Sequence, residues 1–164
     1  MLLLKVYFLK LFCEIKVFIV DVDGVMTDGG FYYSKNGKFM KKFGPDDADM
    51  IRRAKSFLKI VFVSADKRGF EITKKRISKD LNCELHLLSP TQRISWIEKR
   101  YDFRNVAYMG DSFTDLDLFK LCRVTFAPSN AWHECRKRAS FSLREEGGNR
   151  AVARALTILH KIIQ

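Results

Sequence analysis

Several oxygen-bearing side chains of this 164-residue chain stand directly behind short apolar runs. VFIVDVDG places Asp21 and Asp23 behind one run, IVFVS places Ser64 behind a second, and VAYMGDSFTD places Asp111 and Asp115 behind a third. A run of that length and composition reads as a buried strand, and carboxylates delivered at its exit meet a metal, a phosphate or both. Asp21 is then a candidate nucleophile toward phosphorus, giving an aspartyl-phosphate and dividing a hydrolysis into two steps. Asp23 can protonate a leaving alkoxide and later take a proton from water, provided the chain leaves strand geometry after Val22, a turn that Gly24 permits. Asp21, Asp111 and Asp115 cannot all stay ionised beside a phosphate dianion without a cation, and an all-oxygen donor set with phosphate favours Mg²⁺. Ser64 offers a hydroxyl to a phosphoryl oxygen, and Arg93, on the helix expected after Pro90, is the candidate cation for the phosphoryl charge.

Bringing these groups together requires strands and helices in alternation. Asn36-Gly37 between two aromatic-rich arms predicts a hairpin. DDADMIRRAKSFLK places Met50, Ile51, Ala54, Phe57 and Leu58 on one helical face. Lys67 to Asp80 reads as a basic helix, CELHLL as a strand, and SPTQRISWIEKRY as a helix with Ser89 as N-cap and Pro90 at its first position. RVTFA reads as a further strand, and Val152, Leu156, Leu159 and Ile163 mark a last helix. The alternation predicts an α/β fold with a doubly wound, mainly parallel sheet, whose ligands bind beyond the carboxyl ends of the strands. Asp21, Asp23, Ser64, Asp111 and Asp115 should therefore converge on one crevice.

With 47% hydrophobic residues, the chain has the means for one domain with an adequate core. Its net charge of +11 suits nucleic acid, an anionic surface or small acidic substrates. No nucleic-acid-binding motif accompanies it, and the runs KKR at 74–76 and RKR at 136–138 read as solvated faces. Cys13, Cys83, Cys122 and Cys135 form no C-x-x-C pair, which points away from a zinc site and toward reduced thiols in the cytoplasm. Residues 1–15 are apolar but interrupted by Lys5, Lys10 and Glu14, and they are too short to span a bilayer. They read as an amphipathic lead-in packed on the domain, without stable membrane insertion.

DVDGVMTDG, VSA, MGDSFTD and GGNRAV, in that order, resemble the haloacid dehalogenase superfamily of phosphatases. Within it they are most similar to the small capless phosphatases acting on 3-deoxy-D-manno-octulosonate 8-phosphate and on nonulosonate 9-phosphates such as those of sialic-type acids. The resemblance covers residues 15 to 164. It implies Asp21 as nucleophile, Asp23 as acid and base, and Mg²⁺ held by Asp21, Asp111 and the main-chain carbonyl of Asp23, with Asp115 supporting the metal shell. Ser64 takes the position of the family's phosphate-binding hydroxyl, and Arg93 stands where the family usually has lysine. The resemblance further implies a Rossmann-like single domain over 1–164, a hairpin insertion at 29–44 in place of a cap, and a Gly-rich tail with terminal helix at 144–164. It also implies a homotetramer in which a neighbouring subunit roofs the site. Asp47 matches a position near the substrate. Asp66, followed by Lys67 and Arg68, is nearer the glutamate of nonulosonate-type enzymes than the arginine of octulosonate-type ones. Lys67, Arg68 and Arg150, the last in place of a family glycine, are candidates to pair with a substrate carboxylate.

Blander roles stand beside these. Asp21 and Asp23 also suit an Asx turn, Ser64 a helix N-cap, Arg93 a solvated helix position, and Asp46, Asp47 and Asp49 a helix N-terminus. His86, His133 and His160 show no ligand spacing and read as structural, as do Trp96 and Trp132. A phospho-receiver domain also carries an acidic pair after its first strand, but its acceptor aspartate would stand where this chain has Ser64. A catalytically degenerate assembly domain of the same fold is the other alternative.

Overall fold

The computed structural model describes residues 2–12 and 14–164, without the side chains of residues 2, 3 and 12; Cys13 lies outside the described residues. Helix α1 (Leu2–Phe12) leads into strand β1 (Val17–Asp21), the hairpin strands β2 (Tyr32–Ser34) and β3 (Gly37–Met40), helix α2 (Pro45–Ala54) and strand β4 (Lys59–Ser64). Helix α3 (Phe70–Lys74), which widens into a π-helical stretch over Lys75–Asp80, precedes β5 (Glu84–Leu87), α4 (Pro90–Glu98) and β6 (Val106–Met109). Then come α5 (Leu116–Leu121), β7 (Val124–Ala127), α6 (His133–Arg138), β8 (Phe141–Ser142) and α7 (Ala151–Ile163). Six strands form one sheet in the order β5-β4-β1-β6-β7-β8, every pair parallel, with β2 and β3 as a separate antiparallel pair. This is the doubly wound architecture expected, with β1 at its centre.

The central strand explains why its apolar run is unbroken rather than alternating. Successive strand side chains point to opposite faces, and both faces of a parallel sheet are covered. Phe18 and Val20 belong to a core cluster with Ile51, Leu156 and Leu159 from α2 and α7, while Val17 and Ile19 belong to another with Trp96, Ile97 and Leu118 from α4 and α5. Each such side chain, fully buried, stabilises the fold by roughly 1.5–3 kcal/mol. Asp21 continues the Val17 and Ile19 series, so the pleat turns it toward α4.

Two segments differ from the sequence expectation. The basic segment becomes helical only at Phe70, because residues 65–69 form the loop at the exit of β4. Helix α2 ends at Ala54, so Phe57 and Leu58 lie beyond its helical face; Leu58 is still buried. The two-residue edge strand β8 has no sequence signature of its own, since it is defined by pairing with Phe126 and Ala127. No described helix is long and apolar enough to cross a membrane. In α1, Val6 packs into the core while Leu4, Tyr7 and Leu11 are exposed. Cys83, Cys122 and Cys135 are free thiols.

Candidate active site

The chain turns sharply as it leaves β1. The backbone N–H groups of Val25, Met26 and Thr27 all donate to the Val22 carbonyl, and Gly24 adopts φ +83°. A side chain at Gly24 would be strained twice over, since its Cβ would also stand 2.1 Å from Asp111 Oδ2. Thr27 Oγ1 accepts from the N–H groups of Gly24 and Gly29, and the Asn130 amide donates to the Gly24 carbonyl while accepting from Gly147 N–H. Gly147 N–H and Gly148 N–H thus tie the Gly-rich tail to the back of the turn, Gly148 through the Val25 carbonyl. The turn separates the two aspartates as the sequence required: Asp21 faces α4 and Asp23 faces the exit of β4.

Asp21 and Arg93 form the centre. Arg93 Nη1 and Nη2 donate to Asp21 Oδ2 and Oδ1 at 2.9 and 3.1 Å, a bidentate fork, and Nη1 also reaches Asp115 Oδ1 at 2.8 Å. The Tyr108 hydroxyl donates to Asp115 Oδ1 at 2.6 Å, and Asp115 Oδ2 accepts from the N–H groups of Asp111 and Ser112. Arg93 is therefore buried in the site rather than solvated, with its Nε left without a partner among the described residues. Burial opposes its charge, but Tyr108, Asp21 and Asp115 outweigh that and hold the guanidinium protonated.

Asp21, Asp111 and Asp115 each bring a carboxylate oxygen within 4.8 Å of the others. Burial pushes the Asp111 carboxyl up to about 8, with Asp21 and Asp115 adding to the effect, and burial also raises Asp21 against the pull of Arg93. Carboxyls held this far above their usual range lack positive charge, and a divalent cation is what an all-oxygen set of this kind accommodates. Asp21 and Asp111 fit that role. Asp115 spends both oxygens on Arg93, Tyr108 and main-chain N–H groups, so it supports the arrangement from behind.

On the other side of the cleft, Asp23 Oδ2 accepts from Ser64 Oγ at 2.9 Å, and its Oδ1 lies 2.7 Å from Lys41 Nζ. Ser64 is fully buried and its hydroxyl is committed to Asp23. Asp66 accepts from Gly69 N–H through Oδ1 and faces Lys38 and Lys41 through Oδ2 at 2.6 and 2.8 Å. Burial works against its charge, but the two lysines bring the Asp66 carboxyl down to about 2.

These groups border a cleft of about 690 Å³, which Asp21, Asp23, Arg93 and Asp111 line together with Asp66, Lys67 and Arg68. Lys67 and Arg68 are exposed and make no ion pair among the described residues. Asp47 and Arg150 do not line the cleft. Asp47 is fully buried and accepts from the N–H groups of Arg150 and Ala153, so it caps the start of α7. Arg150 takes a left-handed φ of +73° and pairs with Asp46 at 2.5 Å. Sequence reasoning missed Lys38, Lys41, Tyr108 and Asn130. Tyr108 alone carried a signal, a phenol inside an apolar strand three residues before Asp111.

A parallel sheet whose central strand ends in D-x-D-G, with G-D-x-x-x-D beyond the neighbouring strand, defines a class of phosphohydrolases built on an aspartate pair. No protein-family model matches the chain. It is 29% identical over 144 residues to the 3-deoxy-D-manno-octulosonate 8-phosphate phosphatase of Haemophilus influenzae, covering 84% of this chain and 78% of that one. The cobalt-bound structure of the Haemophilus influenzae deoxy-D-mannose-octulosonate 8-phosphate phosphatase superposes with TM-score 0.80 at 27% identity, covering 94% of this chain and 91% of that one. The Moraxella catarrhalis 3-deoxy-D-manno-octulosonate 8-phosphate phosphatase, solved with magnesium, phosphate and KDO, shares the fold with TM-score 0.80 at 22% identity, covering 96% and 91%. The chain is thus similar, in sequence and in fold, to octulosonate 8-phosphate phosphatases.

Proposed function

We propose that this protein is a Mg²⁺-dependent phosphomonoesterase that removes the terminal phosphate of a 2-keto-3-deoxy sugar acid. The observation that carries the reading is the placement of Asp21 and Asp23 on opposite walls of one cleft, the first against Arg93 and Asp111, the second against Ser64. An Asp21 oxygen attacks phosphorus, the bond from phosphorus to the sugar oxygen breaks, and that oxygen takes the proton of Asp23. Water then attacks the aspartyl-phosphate, gives its proton back to Asp23, and frees Asp21 and inorganic phosphate. Arg93 neutralises Asp21 and the charge gathering on the phosphoryl group. Asp21, Asp111 and the main-chain carbonyl of Asp23 would hold Mg²⁺, which would supply the remaining positive charge.

Lys67 and Arg68 are the cations that meet the sugar-acid carboxylate at the cleft mouth. Asp66 is engaged by Gly69, Lys38 and Lys41, which leaves it less free to accept from sugar hydroxyls. The names of the relatives support octulosonate 8-phosphate over a nonulosonate 9-phosphate. The exposed aromatic and apolar side chains of the hairpin, Phe31, Tyr32, Tyr33, Phe39 and Met40, support assembly with further copies as a homotetramer. The test is Mg²⁺-dependent phosphate release from octulosonate 8-phosphate, nonulosonate 9-phosphates and simple sugar phosphates, with Asp21→Asn alongside. Release concentrated on one keto-acid sugar and abolished in Asp21→Asn is expected. Equal background from both proteins on the whole panel overturns the reading.

A further inference from the structure

Lys41 is the least expected residue near the cleft. It follows β3, its side chain is fully buried, and its ammonium has three oxygen partners: Asp23 Oδ1 at 2.7 Å, Asp66 Oδ2 at 2.8 Å and Thr73 Oγ1 at 2.8 Å. The neighbouring Lys42 is exposed. Taking an ammonium out of water is costly, and apolar replacements of buried ion pairs are often neutral or better for stability. The position therefore calls for an explanation other than stability.

We infer that Lys41 is a positioning residue for the proton donor of the proposed phosphatase reaction, holding the Asp23 carboxyl in the orientation that meets the leaving oxygen. The inference rests on the functional reading above and extends it. Asp23 Oδ2 is fixed by Ser64, from the same sheet. Asp23 Oδ1 is buried and receives no directed hydrogen bond among the described residues, so the ammonium is the group that holds it, through charge. Lys41 is in turn fixed from two sides. Thr73 belongs to α3, and Asp66 is itself held by Lys38 from β3 and by Gly69 N–H. The hairpin and the segment after β4 thus set the direction of a carboxyl that belongs to neither. With no exposed side-chain surface, Lys41 does not reach the cleft, so it acts through Asp23 and not on substrate.

The role separates from a merely structural one by the leaving group. A sugar alkoxide needs a proton to depart, whereas p-nitrophenolate departs without one, and kcat/KM reports the events up to that departure. In Lys41→Met, kcat/KM for octulosonate 8-phosphate is expected to fall about 100-fold, the scale of a displaced general acid, with at least a tenfold smaller loss on p-nitrophenyl phosphate. Lys41→Arg, which keeps the charge, is expected to recover part of the sugar-phosphate loss. The aryl phosphate rate doubles as the check that the variant has folded. Equal losses on the two substrates, or no loss on either, overturn the inference while leaving the phosphatase reading intact. That reading fails separately, if the wild type releases phosphate from neither substrate faster than Asp21→Asn.

Discussion

Removing the metal from this protein should make its stability fall as pH rises, opposite to the behaviour of a protein held by ordinary ion pairs. Burial, followed by the charges of Asp21 and Asp115, lifts the Asp111 carboxyl from 3.8 to about 8. A carboxyl with a raised folded-state pKa binds its proton more tightly in the native than in the unfolded chain. Its stabilising contribution is complete below about pH 4 and is lost as pH climbs toward about 8. Between pH 5.5 and pH 8 the metal-free protein loses on the order of 3 kcal/mol from Asp111 alone, which is roughly 6–12 °C in Tm for a chain of this size. Asp66, held down at about 2, stays ionised throughout that interval and does not offset the loss. Mg²⁺ binds the ionised carboxylates, so saturating Mg²⁺ should raise Tm far more at pH 8 than at pH 5.5. Thermal melts of chelator-treated protein at the two pH values, with and without 10 mM Mg²⁺, measure both effects, and Asp111→Asn should reduce both, leaving the part of the slope that comes from the raised Asp21 carboxyl. A metal-free protein that gains stability toward pH 8, or a Mg²⁺ shift equal at the two pH values, would refute the reasoning.

Two other substitutions separate catalytic from structural roles. Arg93→Met leaves Asp21 and Asp115 facing each other without their shared cation. It should cost about 3–5 kcal/mol in denaturant melts and abolish phosphate release, with Arg93→Lys intermediate because an ammonium cannot reproduce the bidentate fork. A Met variant as stable as the wild type would contradict the ion pairing described for Arg93. Asp47→Ala removes the acceptor for the Arg150 and Ala153 N–H groups at the start of α7, and should cost about 2 kcal/mol with KM for the sugar phosphate changed less than twofold. A tenfold rise in KM at unchanged stability would return Asp47 to the substrate.

What the sequence disclosed depended on whether local pattern determines direction. The unbroken VFIV run implies a strand covered on both faces, and a strand's exit direction follows from its pleat, so Asp21, Ser64 and Asp111 were legible from spacing alone. Ser64 ends its strand as the pattern implies, but its hydrogen bond to Asp23, from the turn after β1, is not written in local pattern. In the run Asp46, Asp47 and Asp49, three acids suit a helix start equally well, and only the packing of α7 on α2 selects Asp47 for burial. The same limit governs FMKKF. Lys41 and Lys42 are adjacent and chemically identical, yet one is buried against three oxygens and the other is exposed, because the docking of the hairpin against Asp23, Asp66 and Thr73 is a long-range fact. Arg150 shows the converse: a residue with a side chain occupies a left-handed position that favours glycine. Strand exits can thus be read from pattern, whereas the side chains that orient the exit carboxylates come from segments whose placement is decided elsewhere in the chain. In this protein the groups that would do the chemistry fall mainly in the first set, and those that would aim it fall mainly in the second.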